Sequence, residues 1–276
     1  MNPEWEEFAC WGCRRLGLRW EGFRHVFGQV RKRIYRRLRQ LDLASPADYR
    51  RFIENNPWEL DHLAFCFRIT ISRFFRERPV WEALEKVVLP ELVQRLTARG
   101  ERTLRAWSLG CASGEEPYSL AMLWHSGPLR SALALRILAT DVDPRLLERA
   151  ARARYPQGSL REVPDPILQR CFSKQADQFR VRPAVTRYVQ FRLQNWRDHS
   201  PEEGPFHLIF CRYLVFTYAD IALQEQFLEE VAASLHPLGW LVVGQKETLP
   251  ARALVQWKQG PLPALWQRRR KEGDQP

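Results

Sequence analysis

The sequence predicts an α/β fold: a helical N-terminal domain, then a doubly wound, mostly parallel sheet carrying one small inserted subdomain. Three observations predict it. The first hundred residues carry helical periodicity with no strand pattern. From Thr103 onward, short apolar strands alternate with helical stretches, the signature of strand–helix units stacked into a parallel sheet. Residues 156–187, rich in Pro, Arg and Gln, fit neither pattern and read as an insertion. We place the domain boundary between residues 78 and 79, with the helical domain at 1–78 and the sheet domain at 79–276.

In "FRHVFGQVRKRIYRRLRQLDL", Phe23, Val26, Phe27, Val30, Ile34, Leu38 and Leu41 recur at spacings of three and four, forming one helix face. "SPADYRRFIEN" begins a second helix, with Ser45 as N-cap and Pro46 in its first turn. "PWELDHLAFCFRITISRFF" reads as a third and "RPVWEALEKVVLPELVQRL" as a fourth. The strands expected are 103–109, 135–140, 188–193, 207–211 and 240–244, with helices near 114–126, 144–155 and 222–235. Asp143, before Pro144, is the expected cap of the second of these. A closing strand pair turns at Gly260-Pro261, and the last residues, "RRRKEGDQP", read as a frayed tail.

Composition excludes several classes. With 45% hydrophobic and 27% charged residues the chain is ordinary for a globular protein, and no apolar run reaches the roughly 18 residues that span a bilayer. The start, "MNPEWEEFACWGC", is acidic where a signal peptide is basic, so a cytoplasmic protein is expected. Six scattered cysteines are expected as reduced thiols; Cys10 and Cys13 form one C-x-x-C without the second pair a zinc site needs. The six His residues (25, 62, 125, 199, 207, 236) show no ligand spacing, so no metal is expected. Eleven tryptophans include Trp81, Trp107, Trp124 and Trp240 in apolar periodic runs, which points to core packing rather than base stacking. Net charge is +11, and residues 14–39 hold ten Arg or Lys against one acid, Glu21. Such a patch suits nucleic acid, anionic lipid or an acidic protein face, unless it is simply a solvated helix face.

The chemistry concentrates at "SLGCASGEEPYSLAM" (108–122), a strand, a glycine turn and a helix start. Gly110 and Gly114 bracket the turn and allow close backbone approach, but neither G-x-G-x-x-G nor G-K-[ST] is present. Two carboxylates, Glu115 and Glu116, stand where a phosphate loop offers donors. Ser113-x-x-Glu116 matches a capping box, which accounts for Glu116 and leaves Glu115 as the ligand group. Asp141, after the second strand, sits where an acid accepts from ribose hydroxyls. A ribose, a cationic end and no phosphate describe S-adenosylmethionine, converted to S-adenosylhomocysteine on methyl transfer.

At these residues the chain resembles the chemotaxis-receptor glutamate methyltransferases (CheR type). "WSLGCASGEEPYSLAM" is similar to their first motif and "ILATDVDPRLLERA" to their second. "LQNW" and "GPFHLIFCRYLVFTY" resemble the later sheet-end motifs, and "RITISRFFRERPVWEAL" the stretch entering the catalytic domain. The resemblance runs in order over about residues 20–270. It implies a class I S-adenosylmethionine-dependent methyltransferase domain behind a helical substrate-docking domain. Implied cofactor contacts are Ser72, Arg76, Gly110, Glu115, Asp141, Asn195, Trp196, Arg212 and Tyr213. Glu115 would hold the methionine ammonium and Asp141 the ribose. Arg212, Tyr213 and Tyr218 would line the methyl-transfer pocket, and Arg31, Arg33, Arg36, Arg37 and Arg39 would dock an acidic protein such as the helical cytoplasmic part of a receptor. A monomer is expected.

The chain departs from the family pattern at Thr70 (usually Asn), at Tyr213 (usually Asn after the Arg) and at "QKET", 245–248 (usually His-Ser-Glu-Asn). The tyrosine that usually follows the Arg-Asn pair is Thr217 here, or shifted to Tyr218. A glutamate acceptor, with a pKa near 4.3, is already a nucleophile at neutral pH, so the lack of a Ser-His-Asp or His-Glu dyad agrees with that substrate. RNA or a small metabolite as acceptor, and a non-catalytic docking protein, stay open as alternatives.

Overall fold

The computed structural model describes residues 2–197 and 201–269. His199 and residues 270–276 of the tail, on which two of the expectations above fall, lie outside them. The chain forms two compact units: Met1–Thr70 with Thr217–Gln224, and Ile71–Phe216 with Glu225–Pro276. The division at 70/71 precedes the boundary read from sequence because Phe74, Phe75, Val80 and Trp81 belong to the sheet unit's core.

The helical unit is built from helices Pro3–Arg15, Phe27–Gln40, Pro46–Asn55 and Leu60–Cys66. Ser45 caps the third as the sequence requires, its Oγ accepting from the Asp48 N–H at 3.1 Å. The apolar face of Phe27–Gln40 buries Phe27, Val30, Ile34 and Leu38 among Trp5, Phe8, Tyr49 and Leu63. The helix expected through "PWELDHLAFCFRITISRFF" ends at Cys66. The β-branched run Ile69–Ile71 then enters an irregular segment with left-handed residues at Phe75 (φ 52°) and Glu77 (φ 63°). The "RPVWEALEKVVLPELVQRL" stretch is α-helical at Arg78–Ala83 and Leu89–Ala98, with a π-turn at Leu84–Val88 between them. Pro90 has no N–H to give the preceding turn, and the Leu89 N–H bonds to the Leu84 carbonyl five residues back.

Among its described residues the sheet unit holds ten strands: β1 (Thr103–Leu109), β2 (Ala134–Asp141), β3 (Arg154–Pro156), β4 (Phe172–Gln175), β5 (Gln178–Val181), β6 (Val189–Leu193), β7 (Phe206–Phe210), β8 (Leu235–Val242), β9 (Trp257–Gln259) and β10 (Leu265–Arg268). Seven form one sheet in the order β6-β2-β1-β7-β8-β10-β9, parallel except where β10 runs against β8 and β9. The antiparallel pair is the one expected around Gly260-Pro261. The insertion is a separate three-stranded antiparallel sheet, β3-β5-β4. It starts at Arg154 rather than 156, because the helix expected to reach 155 stops at Arg152, with Ala153 left-handed (φ 52°). Trp81, Trp107, Trp124 and Trp240 are all buried, as their periodic settings require.

Strand order reverses at β1, which separates β2 and β6 on one side from β7 and β8 on the other, and such a switch point is where open α/β sheets bind ligands. Register makes the edge level: Leu109 pairs with Thr140, Ser108 with Phe210, and Phe210 with Val242. Gly110, Asp141, Arg212 and Gly244 therefore leave the sheet at one edge.

Each unit also holds a polar cluster of its own. In the helical unit, Arg37 grips Glu59 with two bonds of 2.7 Å and Tyr49 Oη donates to the same carboxylate at 2.7 Å. Burial pushes the Glu59 carboxyl up, but these donors outweigh it and leave it below the ordinary range. In the sheet unit, His207 and His236 both point Nε2 at Glu101, at 3.2 and 3.4 Å. Their Nδ1 atoms accept backbone N–H groups from Arg105 (3.0 Å) and Leu238 (3.1 Å). A backbone N–H cannot accept, so Nε2 carries the proton in both rings. The three side chains are the one cluster of metal-ligand type among the described residues, and sequence spacing did not reveal it. With its proton on Nε2, however, neither ring offers a lone pair toward a metal.

Removing Arg37 would strand a buried carboxylate, so Arg37→Ala is expected to lose about 3–5 kcal/mol of unfolding free energy in urea titrations. The stabilisation that the depressed Glu59 pKa supplies is present above its unfolded value and is lost as pH falls through the folded one. His207 acts at higher pH: burial first, then His236, lower it to about 4, so the unfolded chain takes up its proton first. Stability should fall between about pH 6.5 and 4, and His207→Gln should flatten the dependence of urea midpoint on pH in that window.

Candidate active site

The glycine turn after β1 determines what the first helix can present. Gly110 (φ 60°) and Gly114 (φ 90°) are left-handed, and Ala112 (φ 48°) lies between them. A Cβ on Gly110 would lie 2.9 Å from Leu214, and one on Gly114 2.9 Å from Ala150 Cβ and 3.1 Å from the Tyr155 hydroxyl. Gly114 takes the N-cap position of the Glu115–Ser126 helix and has no side chain to cap it with. The capping box expected of Ser113 and Glu116 therefore does not form. Ser113 is one residue too early, and its Oγ donates instead to the Glu115 carboxylate, 2.9 Å from each oxygen. Glu116 turns inward, accepting from Ser108 Oγ at 2.7 Å and Arg212 Nη1 at 3.3 Å. Burial pushes its pKa up, against the pull of Arg212 and Ser108.

Glu115 is 2% exposed. The one hydroxyl of Ser113 supplies a single proton to its two oxygens, and the helix N-terminus adds favourable potential. A carboxylate so buried has capacity for a cationic donor and repels a phosphate. Asp141, at the end of β2, accepts the Ala112 N–H at 2.8 Å and the Asp143 N–H at 2.9 Å. Burial raises its pKa, against the backbone N–H groups of Asp143, Ala112 and Val142. A carboxylate has about four acceptor sites, so it retains capacity for hydroxyl donors. Asp143 caps its helix as expected, accepting from the Arg145 N–H at 2.9 Å. Asn195 and Trp196 follow β6, level with Asp141 through the Asp141–Leu193 pairing. Asn195 Oδ1 accepts the Arg197 N–H at 3.2 Å, and Trp196 packs edge-on to Phe227 at 5.6 Å.

The segment carrying Ser72 and Arg76 is pinned to the same edge. The Phe75 N–H donates to Ser119 Oγ at 2.9 Å, and that hydroxyl donates to the Glu115 carbonyl at 2.6 Å. Ser72 is half-buried in this segment. The Arg76 guanidinium lies 4.0 Å from the centroid of the Tyr213 ring, and its carbonyl accepts from Arg212 Nη2 at 2.6 Å. Arg212, 4% exposed, also binds Glu77 at 2.9 Å. Tyr213 is left-handed (φ 53°); its hydroxyl donates to Glu77 and its N–H donates to Glu247 Oε2 at 2.8 Å. Burial raises the phenol's pKa and Glu77 raises it further, so the proton stays on oxygen.

Ser72, Arg76, Gly110, Glu115, Asp141, Asn195, Trp196, Arg212 and Tyr213 thus all lie in the sheet unit, at the ends of β1, β2, β6 and β7 or on the pinned segment. Tyr218 falls in the helical unit, its ring 4.6 Å from that of Phe23. Of the five arginines expected to dock a partner, Arg31, Arg36 and Arg39 are exposed. Arg33 donates to the Cys66 and Arg68 carbonyls and Arg37 holds Glu59, so both work inside the unit. Sequence reading missed Glu77 and Glu247. Glu247, 4% exposed, receives the Gly244 N–H at 2.7 Å as well as that of Tyr213, and so ties the ends of β7 and β8 together. The one hint of it was the acid inside "QKET". The Cys10 and Cys13 thiols are free, and burial pushes Cys13 up to about 12, away from the thiolate that metal or redox chemistry needs.

A seven-stranded sheet with one reversed strand, a glycine turn without phosphate donors and buried acids after β1 and β2 define a class I S-adenosylmethionine-dependent methyltransferase. Residues 70–260 match the family model described as the CheR methyltransferase SAM-binding domain, and the chain belongs to that family. It is 32% identical to a chemotaxis protein methyltransferase of Listeria monocytogenes over 80% of this chain and 81% of that one. It is 35% identical to a probable chemotaxis protein methyltransferase of Rhizobium etli over 70% and 72% of the two chains. It is 32% identical to chemotaxis protein methyltransferase 2 of Pseudomonas aeruginosa over 79% and 77%. No described helix is long and apolar enough to cross a membrane.

The turn geometry is testable. Gly114→Ala places a Cβ against Ala150 at a left-handed φ, a backbone conformation that costs about 1–2 kcal/mol for an L-residue before any clash. It should lower the melting temperature and weaken S-adenosylhomocysteine binding, read by calorimetry.

Proposed function

We propose that this methyltransferase esterifies a side-chain carboxylate, a glutamate on an acidic, helical protein partner of the chemotaxis-receptor kind. One observation carries the reading. A guanidinium, Arg212, and a phenol that keeps its proton, Tyr213, stand together after β7, and the carboxylates they meet, Glu77 and Glu116, are already occupied by their donors. The guanidinium and the phenol orient an anion, and neither takes a proton from an acceptor. An amine or hydroxyl acceptor would have a proton to lose in the transfer; a carboxylate has none. The names of the relatives support the same partner class.

When bound, the cofactor would supply an electrophilic methyl group on a sulfonium to an acceptor oxygen, the carbon–sulfur electron pair staying with sulfur. Glu115 would hold its ammonium, and Asp141 would accept from its ribose hydroxyls. Gly110 would let the backbone approach it, while Ser72, Arg76, Asn195 and Trp196 would form the remaining walls. Arg212 and Tyr213 align the acceptor oxygen, and alignment is worth up to about 7–11 kcal/mol in favourable model reactions. Arg212 shares its charge with Glu116, which tempers its hold on the acceptor; a tighter clamp would stabilise the ground state and blunt the nucleophile. Arg31, Arg36 and Arg39, exposed on the Phe27–Gln40 helix, are the docking cations.

Calorimetry with S-adenosylhomocysteine should give 1:1 binding that Asp141→Ala weakens about 10- to 100-fold, the loss of bonds to a charged acceptor. Because Asp141 must be ionised and burial raises its pKa, affinity should drop as pH falls toward that value. With methyl-labelled cofactor and host lysate, base-labile counts in a protein band are expected. Counts in RNA would reject the carboxylate reading. Reversing Arg31, Arg36 and Arg39 to Glu should raise KM for the protein acceptor, more at low salt than at high, and leave S-adenosylhomocysteine affinity unchanged.

A further inference from the structure

The methyl-transfer groups are already engaged with a carboxylate, and it is the chain's own. Glu77 receives Arg212 Nη2 at 2.9 Å, the Tyr213 hydroxyl, and the Gln245 N–H at 3.1 and 3.3 Å from its two oxygens. A guanidinium, a phenol and a backbone N–H converging on one carboxylate are the donor set of a carboxylate-binding site.

Three further observations separate this cradle from an ordinary structural ion pair. Arg212 is buried, and its Nε has no hydrogen-bond partner, so the guanidinium keeps donor capacity that Glu77 does not use. Glu116 already offers Arg212 a counter-charge, so Glu77 is not needed to neutralise it. Glu77 itself is left-handed (φ 63°), an unfavourable conformation for a residue with a Cβ, and its side chain is 15% exposed, so it reaches solvent. Tyr213 is left-handed too, and its ring lies against Gly244, where a Cβ would come within 2.7 Å of Cζ. Left-handed backbone thus stands at both partners of the phenol–carboxylate bond.

We propose that Arg212, Tyr213 and the Gln245 N–H form the subsite for the acceptor's carboxylate, and that Glu77 is its resident placeholder, displaced when the acceptor enters. The inference rests on the carboxylate reading of the acceptor and adds to it the seat and a competitor for the seat. It gives Tyr213 a role as a neutral donor that holds the anion without adding charge. With Glu77 in place, the seat rejects weakly bound carboxylates; only an acceptor also held elsewhere by the protein competes successfully.

The test uses the whole chain with Glu77→Gly, which removes the carboxylate and suits the left-handed backbone, so folding is retained. Sodium acetate is the probe, with sodium chloride at equal ionic strength and acetamide as controls. A saturable rise of about a few degrees in melting temperature is expected with acetate in Glu77→Gly, absent in wild type and with either control. Equal responses to acetate and chloride, or none to acetate, would overturn the proposal. Glu77→Gln, which keeps the side-chain volume, provides the second measurement: KM for the protein acceptor should fall several-fold while cofactor affinity holds, and an unchanged or raised KM counts against displacement. The acetate measurement involves no methyl transfer, so its failure is distinct from failure of the base-labile labelling that tests the carboxylate reading.

Discussion

A guanidinium at 4% exposure is the constraint from which the rest of the site follows. Arg212 leaves the end of β7 and reaches Glu116 on the helix after β1, then Glu77 and the Arg76 carbonyl on the segment before the Arg78–Ala83 helix. A cation taken so far from water requires a paired, hydrogen-bonded anion; Glu116 supplies one and Glu77 a second. Those pairings hold three separate stretches of chain to one sheet edge. Glu247 performs the matching task for backbone, collecting the N–H groups of Tyr213 and Gly244 on one oxygen.

The same edge carries two acids with a different job. Glu115 and Asp141 are buried and Glu116 half-buried, but among the described residues no arginine side chain bonds to Glu115 or Asp141; their compensation comes from a hydroxyl, backbone N–H groups and a helix end. Carboxylates compensated only by neutral donors remain available to a cationic, hydroxylated ligand. The site thus sorts its acids: Glu116 is paired with Arg212 and Ser108, while Glu115 and Asp141 keep acceptor capacity, which suits the cofactor roles proposed for them. That division explains why two adjacent glutamates in one loop have unrelated roles.

Much of the fold was legible because it is local. Period-two and period-3.6 patterns located the strands of the parallel sheet and most helices, and Ser45 and Asp143 cap their helices as their neighbours Pro46 and Pro144 suggested. Errors fell where local preference met a tertiary demand. The helix expected through "PWELDHLAFCFRITISRFF" stops at Cys66, and the chain then turns through Phe75 and Glu77 in left-handed conformations. The capping box failed because Gly114 is needed where the cap would stand: a side chain there would strike Ala150 and Tyr155. The basic stripe was read correctly as charge but not as exposure, since the backbone carbonyls of Cys66 and Arg68 and the buried Glu59 claim Arg33 and Arg37 from across the bundle.

By itself, then, the sequence determined the order of strands and helices, the glycine turn and the presence of acids after β1 and β2, since each is written in residues a few positions apart. Only the tertiary structure decided which partner each charge keeps. Glu77 meets Arg212 across 135 positions and Gln245 across 168, and His207 meets Glu101 across 106. No periodicity encodes such meetings. They follow from the register that levels four strand ends and from the cost of leaving a buried charge or N–H without a partner, which selects one pairing among many that composition alone would allow.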